Sequence, residues 1–365
     1  MTTATSTPVL RARALADELL RPAAEQVDRT VVPRSHLDAW GQAGLLGLAG
    51  PRSHGGGQAP ARVVRDVIEV IAGACGATWF VATQHALPLG VLTASPNEVL
   101  RERLLPGLCS GDVLSGVAVA HLRSGGTAQL RRGGTPAVTA NRVEGGWRFD
   151  GHVGWMTSWG ICDVFLLAGF SSKGEVVTAI VPAVQAVGLT ASAPMELAAM
   201  QATRTVTLDL DALEVPDVDV VDVVDAAGWL EADRCKTANA SPQAFGLQRE
   251  CVRRLAALAA RRDDGSAAAL AHQLGTEGER LRAVAYTLID DAPAGEHIDD
   301  RLAVRAASLE LVVRTATALV AATGGSAMAL DAAAQRLARE ALFQLVQAQT
   351  APVREATLQL LRESS

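Results

Sequence analysis

The sequence predicts an α+β fold, mostly α, in three parts. An N-terminal helical domain is expected over 1–110, a small central β-barrel or sandwich over 111–220, and a C-terminal four-helix bundle over 221–365. Three observations predict it. Apolar residues recur at helical spacing before Gly111, short β-branched runs separated by turns fill Val113 to Val215, and four long helical patterns follow residue 221. At 365 residues the chain is also too long for one small core.

In the first part, Leu10, Ala14, Leu15, Leu19, Leu20 and Ala24 lie at helical spacing, with a break or kink expected at Pro22. Leu37 to Leu48 reads as a second helix stopped by Gly. The Gly-rich stretch Pro51 to Gly57 follows no strand and reads as a turn, not a phosphate loop. Further helices are expected over 61–74, over 77–87 with a stop before Pro88, and from Pro96 to Leu105. Strands are expected at Val113–Val119, Ala137–Arg142, Trp147–Asp150, Val164–Gly169, Val176–Val181 and Val206–Leu210. The bundle helices are expected at Phe245–Arg262, Ala267–Leu288, Leu302–Ala322 and Ala332–Thr350, joined by Asp263-Asp264-Gly265, Asp291–Asp300 and Gly324-Gly325.

Composition narrows the function. A formal net charge of -6 without a dense basic stripe argues against a nucleic-acid partner. Met1 to Pro8 lack an apolar signal core and no run reaches membrane-spanning length, so a cytoplasmic protein without a membrane partner is expected. The five Cys are scattered without CxxC spacing and the seven His form no ligand pair, so neither a disulfide framework nor a metal site is expected.

The stretch Gly151 to Gly160 concentrates the chemistry. Trp155, Thr157 and Ser158 follow the Asp150-Gly151 turn signal and precede the apolar run from Val164. A flat indole beside hydroxyls at a strand end suits a planar polar ring, which stacks on the face and accepts a hydrogen bond at its edge. The same residues also read as an ordinary core Trp beneath a loop.

The order helices, β-domain, helical bundle resembles the acyl-CoA dehydrogenase family of flavoproteins. Gly44 to Leu48 with Gly55-Gly56 looks like the family's entry into its first domain, and Met200 to Pro216 like its later strand. Gly151 to Ser158 looks like the segment whose Trp packs on the isoalloxazine and whose Thr bonds near flavin N5, which implies Trp155, Thr157 and Ser158 as FAD contacts. Gly246, Arg262 and Gln273 keep the family's spacing of sixteen and then eleven residues. In the family that Arg reaches the FAD pyrophosphate of a neighbouring subunit, as suits a guanidinium fork. Gly324, Gly325 and the run Arg336 to Ala341 resemble the segment before the catalytic loop, and Thr350 matches its Thr. A homodimer or homotetramer is implied, with an electron-transfer or flavin-reductase partner.

The departures bear on chemistry. In the family a Glu takes the α-proton of an acyl thioester while hydride leaves the β-carbon for flavin. Twenty-three residues after Gly325 stands Ala348, which continues the apolar stripe of Leu337, Ala341 and Leu345 and is expected to face the interior. The alternative Glu position of some members, ten residues before Gly246, is Lys236, with Asp233 close by in another register. The family's flavin-edge run falls near Val119 to Gly125, where Ala120 and His121 replace its Thr and Glu, and Asp263-Asp264 is an unfavourable pair beside a pyrophosphate. Candidates for proton chemistry are therefore Asp233, His121 and His85, the last in a helix that borders the family's cavity and also readable as a structurally satisfied His. Three functions follow: an acyl-CoA or acyl-carrier dehydrogenase without its usual base, a flavin monooxygenase using reduced flavin and oxygen, or a catalytically silent subunit of a hetero-oligomer.

Overall fold

The computed structural model describes residues 6–123 and 136–363. Helices α1 (Thr7–Leu15) and α2 (Arg21–Asp28) are joined by a π-helical turn, Ala16–Leu20, so the break expected at Pro22 is a widened turn just ahead of it. Then come α3 (Arg34–Gln42), α4 (Ala61–Ala74), α5 (Gly76–Thr93) and α6 (Glu98–Ser110). Helix α5 does not stop before Pro88. It runs on for another turn because Pro88, Leu89 and Leu92 are buried, the two leucines in a core shared with Leu100, Leu105 and Leu108 of α6. Helix α6 begins at Glu98, capped by the Asn97 side chain, which accepts from the Leu100 amide at 3.0 Å.

The central strands are β1 (Ser115–Ala118), β2 (Val138–Val143), β3 (Gly146–Met156), β4 (Val164–Phe170), β5 (Glu175–Pro182), β6 (Leu189–Ala191), β7 (Val206–Pro216) and β8 (Val220–Asp225). They pair into one sheet in the order β6-β7-β3-β2-β4-β5-β8, with β1 parallel to β4. Strand β4 is apolar throughout because both its faces are covered. Phe165 and Leu167 join the core beneath the N-terminal helices, while Leu166, Ala168 and Phe170 join that of α5 and α6.

Asp150-Gly151 is not the turn that the sequence suggests. Strand β3 continues to Met156, held by β2 on one side and β7 on the other, and the pairing with β7 slips between Phe149 and Gly151. Gly151 sits at φ 133°, and a Cβ there would lie 2.1 Å from the Ala137 carbonyl oxygen. The bulge therefore needs glycine.

The C-terminal part comprises α7 (Ala226–Ala238), α8 (Pro242–Arg262), α9 (Gly265–Asp291), α10 (Ile298–Thr323), α11 (Ala333–Gln344) and α12 (Ala351–Glu363). Helix α11 ends six residues before Thr350, so the expected single helix to that point is two helices and a turn. Helix α10 is long and apolar enough to cross a membrane by length and composition, which corrects the expectation that no run is. It packs against α8, α9, α11 and α12, and its buried residues include Arg301 and Arg305.

Helices α4 and α8 cross at glycine. A Cβ on Gly246 would meet the Glu69 carbonyl oxygen at 2.1 Å, and one on Gly73 the Gly246 carbonyl oxygen at 2.6 Å. Both obstacles are backbone, so no rotamer change relieves them. Gly246→Ala is expected to lower stability by about 1–3 kcal/mol through forced separation of the two helices. Thermal unfolding checks this, and an unchanged melting temperature would show that the crossing tolerates a methyl group.

Candidate functional site

The end of β3 presents its indole outward. Trp155 is 56% exposed, which rules out the core-Trp reading, and above Gly154 the space where a Cβ would stand is open. Thr157 is buried behind it and bridges to Val117 of β1, which brings the β3 end beside Val119 and Ala120. The Thr157 hydroxyl lies 3.2 Å from that of Thr205, and Ala120 is exposed. Ser158 takes a different place from the one its neighbours suggest. Its φ is 76°, its amide donates to the Thr203 carbonyl at 2.9 Å, and its hydroxyl is wholly buried without a partner. It turns the chain inward and presents no hydroxyl to a ligand.

Of the residues tied by spacing, the structure brings Arg262, Gly324 and Gly325 together. The Arg262 guanidinium donates to the Ala322 carbonyl at 2.5 Å and the Thr323 carbonyl at 3.3 Å, closing the C-terminus of α10. Gly324 follows at φ 80° and ψ -157°, a conformation suited to glycine, and both glycines are exposed. Gln273 is exposed on α9. The acidic loop has a local cause: Asp264 caps α9 by accepting from the Ala267 amide at 3.0 Å, and Asp263 supplies the left-handed residue between the helices.

Both ring nitrogens of His85 are committed, and one of His121. His85 Nε2 bonds the Leu108 carbonyl at 2.9 Å, while Nδ1 accepts from the Ser115 amide at 3.2 Å, so the neutral ring braces α5 against α6 and β1. The small cavity it lines is otherwise mainly apolar, with Leu37, Val81 and Ile161 among its walls. His121 Nε2 bonds the Ala168 carbonyl at 2.9 Å, with a buried, unpartnered Nδ1. Burial pushes each ring down to about 4 from 6.5. Asp233 is also committed, with its carboxylate gripped by the Arg123 guanidinium at 2.8–3.1 Å.

Ala348 does not continue the α11 stripe. It is half-buried in the turn between α11 and α12 at φ 49°. Arg305 of α10 holds that turn, donating to the Gln347 carbonyl at 3.1 Å, the Ala348 carbonyl at 3.3 Å, and the Thr237 carbonyl of α7. Thr350 directly precedes α12, its carbonyl accepting from the Arg354 amide at 3.0 Å. Lys236, one turn from Asp233 on α7, reaches solvent, and crowding by the protein followed by the Arg123 charge holds its ammonium below the usual range. Arg305 is absent from the family spacing that marks the other residues. It is one of three Arg on α10, with Arg301 and Arg314, and no sequence signal sets it apart from them. Residues 124 and 125 of the expected flavin-edge run lie outside the described residues, and among the described residues no cluster of His, Cys, Asp and Glu could hold a metal.

Helical block, single sheet and helical bundle, with an outward indole at a strand end, define the class of fold found in acyl-CoA dehydrogenases. Residues 9–112 match the family model described as acyl-CoA dehydrogenase, N-terminal domain. Benzylmalonyl-CoA dehydrogenase of Aromatoleum aromaticum is 26% identical over 203 residues, covering 55% of this chain and 52% of that protein. The chain spans about half the length of the curated relatives it matches. The solved glutaryl-coenzyme A dehydrogenase in complex with glutaryl-CoA superposes with a TM-score of 0.82 at 18% identity, over 100% of this chain and 97% of the other. Dibenzothiophene monooxygenase from Paenibacillus sp. A11-2 gives 0.78 at 16%, over 98% and 97%. The chain thus has the acyl-CoA dehydrogenase fold throughout, and its first part matches the acyl-CoA dehydrogenase N-terminal domain.

Both histidines titrate lower in the fold than in the unfolded chain, so below 6.5 the unfolded chain binds more protons. Their contribution to stability is present in full above pH 6.5 and is lost as pH falls toward about 4. The melting temperature is expected to fall across that window, less steeply in His85→Gln, which keeps a donor for the Leu108 carbonyl. An equal slope in the variant would remove His85 from this account.

Proposed function

We propose that the chain is a flavin-dependent oxidoreductase that oxidises the α,β-bond of an acyl thioester carried on coenzyme A or a carrier protein. The observation that supports it best is the exposed indole of Trp155 beside open space at Gly154, at the position where the resemblance puts the isoalloxazine. An uncovered tryptophan face of this kind favours a stacked aromatic ring. FAD, when bound, supplies the acceptor for hydride.

In this reading Trp155 stacks on the ring, while Thr157 and the backbone of Val119 and Ala120 face its polar edge. Arg262, Gln273, Gly324 and Gly325 form a surface for the pyrophosphate and adenosine, offered across a two-fold to a neighbouring copy, and the chain works as a homodimer or homotetramer. Thr350 flanks the acyl end. The α-proton has no carboxylate waiting for it: Ala348 is an alanine, and Asp233 is held by Arg123. A missing general base costs about 10²- to 10⁴-fold in rate, so slow dehydrogenation is expected.

The missing carboxylate favours a second reading, a monooxygenase that uses reduced flavin and oxygen, since such chemistry draws on no α-proton base. Purified protein is expected to be yellow, and Trp155→Ala to weaken FAD binding about tenfold by losing the stacking surface. Anaerobic addition of acyl thioesters bleaches the flavin's visible band if the dehydrogenase reading holds. Product formed only with oxygen and externally reduced flavin, without anaerobic bleaching, would replace it with the monooxygenase. A colourless protein with no affinity for FAD would overturn both.

A further inference from the structure

Three cations, Arg123, Lys236 and Arg305, lie near α7, α10 and the turn carrying Ala348 with too little counter-charge among them. Arg123 spends its guanidinium on Asp233, at 2.8–3.1 Å. Arg305 is only 3% exposed, donates to three backbone carbonyls and to no carboxylate, and leaves its Nε buried without a partner. Lys236 stands one turn along from Asp233, and Arg123 and Asp233 both act on its charge and on that of Arg305. Among the described residues, Asp233 is the one carboxylate felt by either, so three cations share a single anion. Residues 124–135 contain no Asp or Glu that could add another.

A buried cation without an anion, as Arg305 is, is costly, and an anion that fits nearby is favoured. Arg305 shows the cost, since burial lowers it to about 10 and the like charge of Arg123 adds to the effect. The location says which anion. Lys236 and Ala348 occupy the two places where the family resemblance puts a carboxylate base, against the acyl portion of a thioester, and Arg305 bonds the backbone of the second place directly. The electrostatics are reversed there: the protein supplies positive charge where relatives by motif supply a negative one.

We propose that the cationic cluster of Arg123, Lys236 and Arg305 beside the Ala348 turn binds a carboxylate carried on the acyl portion of the substrate. This rests on the thioester reading above and narrows it to half-thioesters of dicarboxylic acids. Lys236 makes the mobile contact, Arg305 fixes the floor, and Arg123 stays paired with Asp233.

Titration calorimetry at low salt tests it with succinyl-CoA, butyryl-CoA, coenzyme A alone and free succinate, on the wild type, Lys236→Met and Lys236→Arg. Lys236 is solvent-accessible, so these substitutions leave the core intact. The wild type is expected to prefer succinyl-CoA over butyryl-CoA by about tenfold or more, as for a charge-assisted hydrogen bond. The preference should vanish in Lys236→Met and survive in Lys236→Arg, with coenzyme A binding unchanged in both. Equal affinity for the two thioesters, or a preference that survives in Lys236→Met, overturns the proposal. An equal loss for coenzyme A and both thioesters in Lys236→Met also overturns it, by assigning the cluster to a carrier phosphate. Should neither thioester bind, the thioester reading falls, and free succinate then decides. Succinate bound by the wild type and lost in Lys236→Met keeps the cluster as a carboxylate site, whereas no succinate binding removes it.

Discussion

The placement of the site depends on a buried ionic junction where α2, α8 and α11 meet. Arg336 is fully enclosed, its guanidinium donating to Glu340 at 2.7 Å and reaching Glu25 at 3.5 Å. One turn on, Arg339 clasps Asp28 and donates to the Ala198 carbonyl at 3.2 Å, tying in the chain ahead of β7. Glu250 of α8 receives Arg253 and Arg254 from its own helix and Arg21 from α2. Burial pushes the Glu340 carboxyl upward and Arg336 opposes it, so each charge depends on its partner. Removing one member of such a pair strands the other, at about 3–5 kcal/mol, whereas the intact pair adds little net stability. The junction therefore acts by specifying one mutual arrangement of the helical block, the bundle and the sheet. The β3 end and the Ala348 turn lie on parts that it fastens together.

Where one local rule governed a segment, the sequence showed the structure directly. Helix α4 spans 61–74 as its apolar periodicity indicates, and β4 has the continuous apolar run of a strand covered on both faces. Where two rules competed, tertiary packing won. Pro88 signals a stop, yet burial of Leu89 and Leu92 carries α5 through it. Asp150-Gly151 signals a turn, but strands on both sides of β3 convert it into a bulge. The apolar stripe of Leu337, Ala341 and Leu345 signals a helix past 344, but the Arg305 guanidinium takes the Gln347 and Ala348 carbonyls and the helix ends. Strand β6 has only three residues, and the Val-Val-Asp-Val-Val-Asp run of β8 does not alternate.

The site was legible in part, for the same reason. Local sequence placed Trp155 and Thr157 at a strand end, and they stand there. It could not show that Ser158 turns inward, because that follows from its left-handed backbone and the Thr203 carbonyl it bonds. Nor could it show that both nitrogens of His85 are occupied, since the partners lie 23 and 30 residues away. Arg305 joins Lys236 and Ala348 only through the packing of α10 on α7 and the following turn.

The left-handed turn at Ala348 bears on how such a protein diverges. Its φ of 49° is a conformation that costs an ordinary side chain about 1–2 kcal/mol. A glutamate written into this position would inherit that backbone, and its carboxylate would set out along a direction chosen by the Arg305 clamp. A single substitution would thus supply the functional group with its direction already fixed by the backbone. At this position the main chain as well as the side chain decides whether a carboxylate could serve as a base.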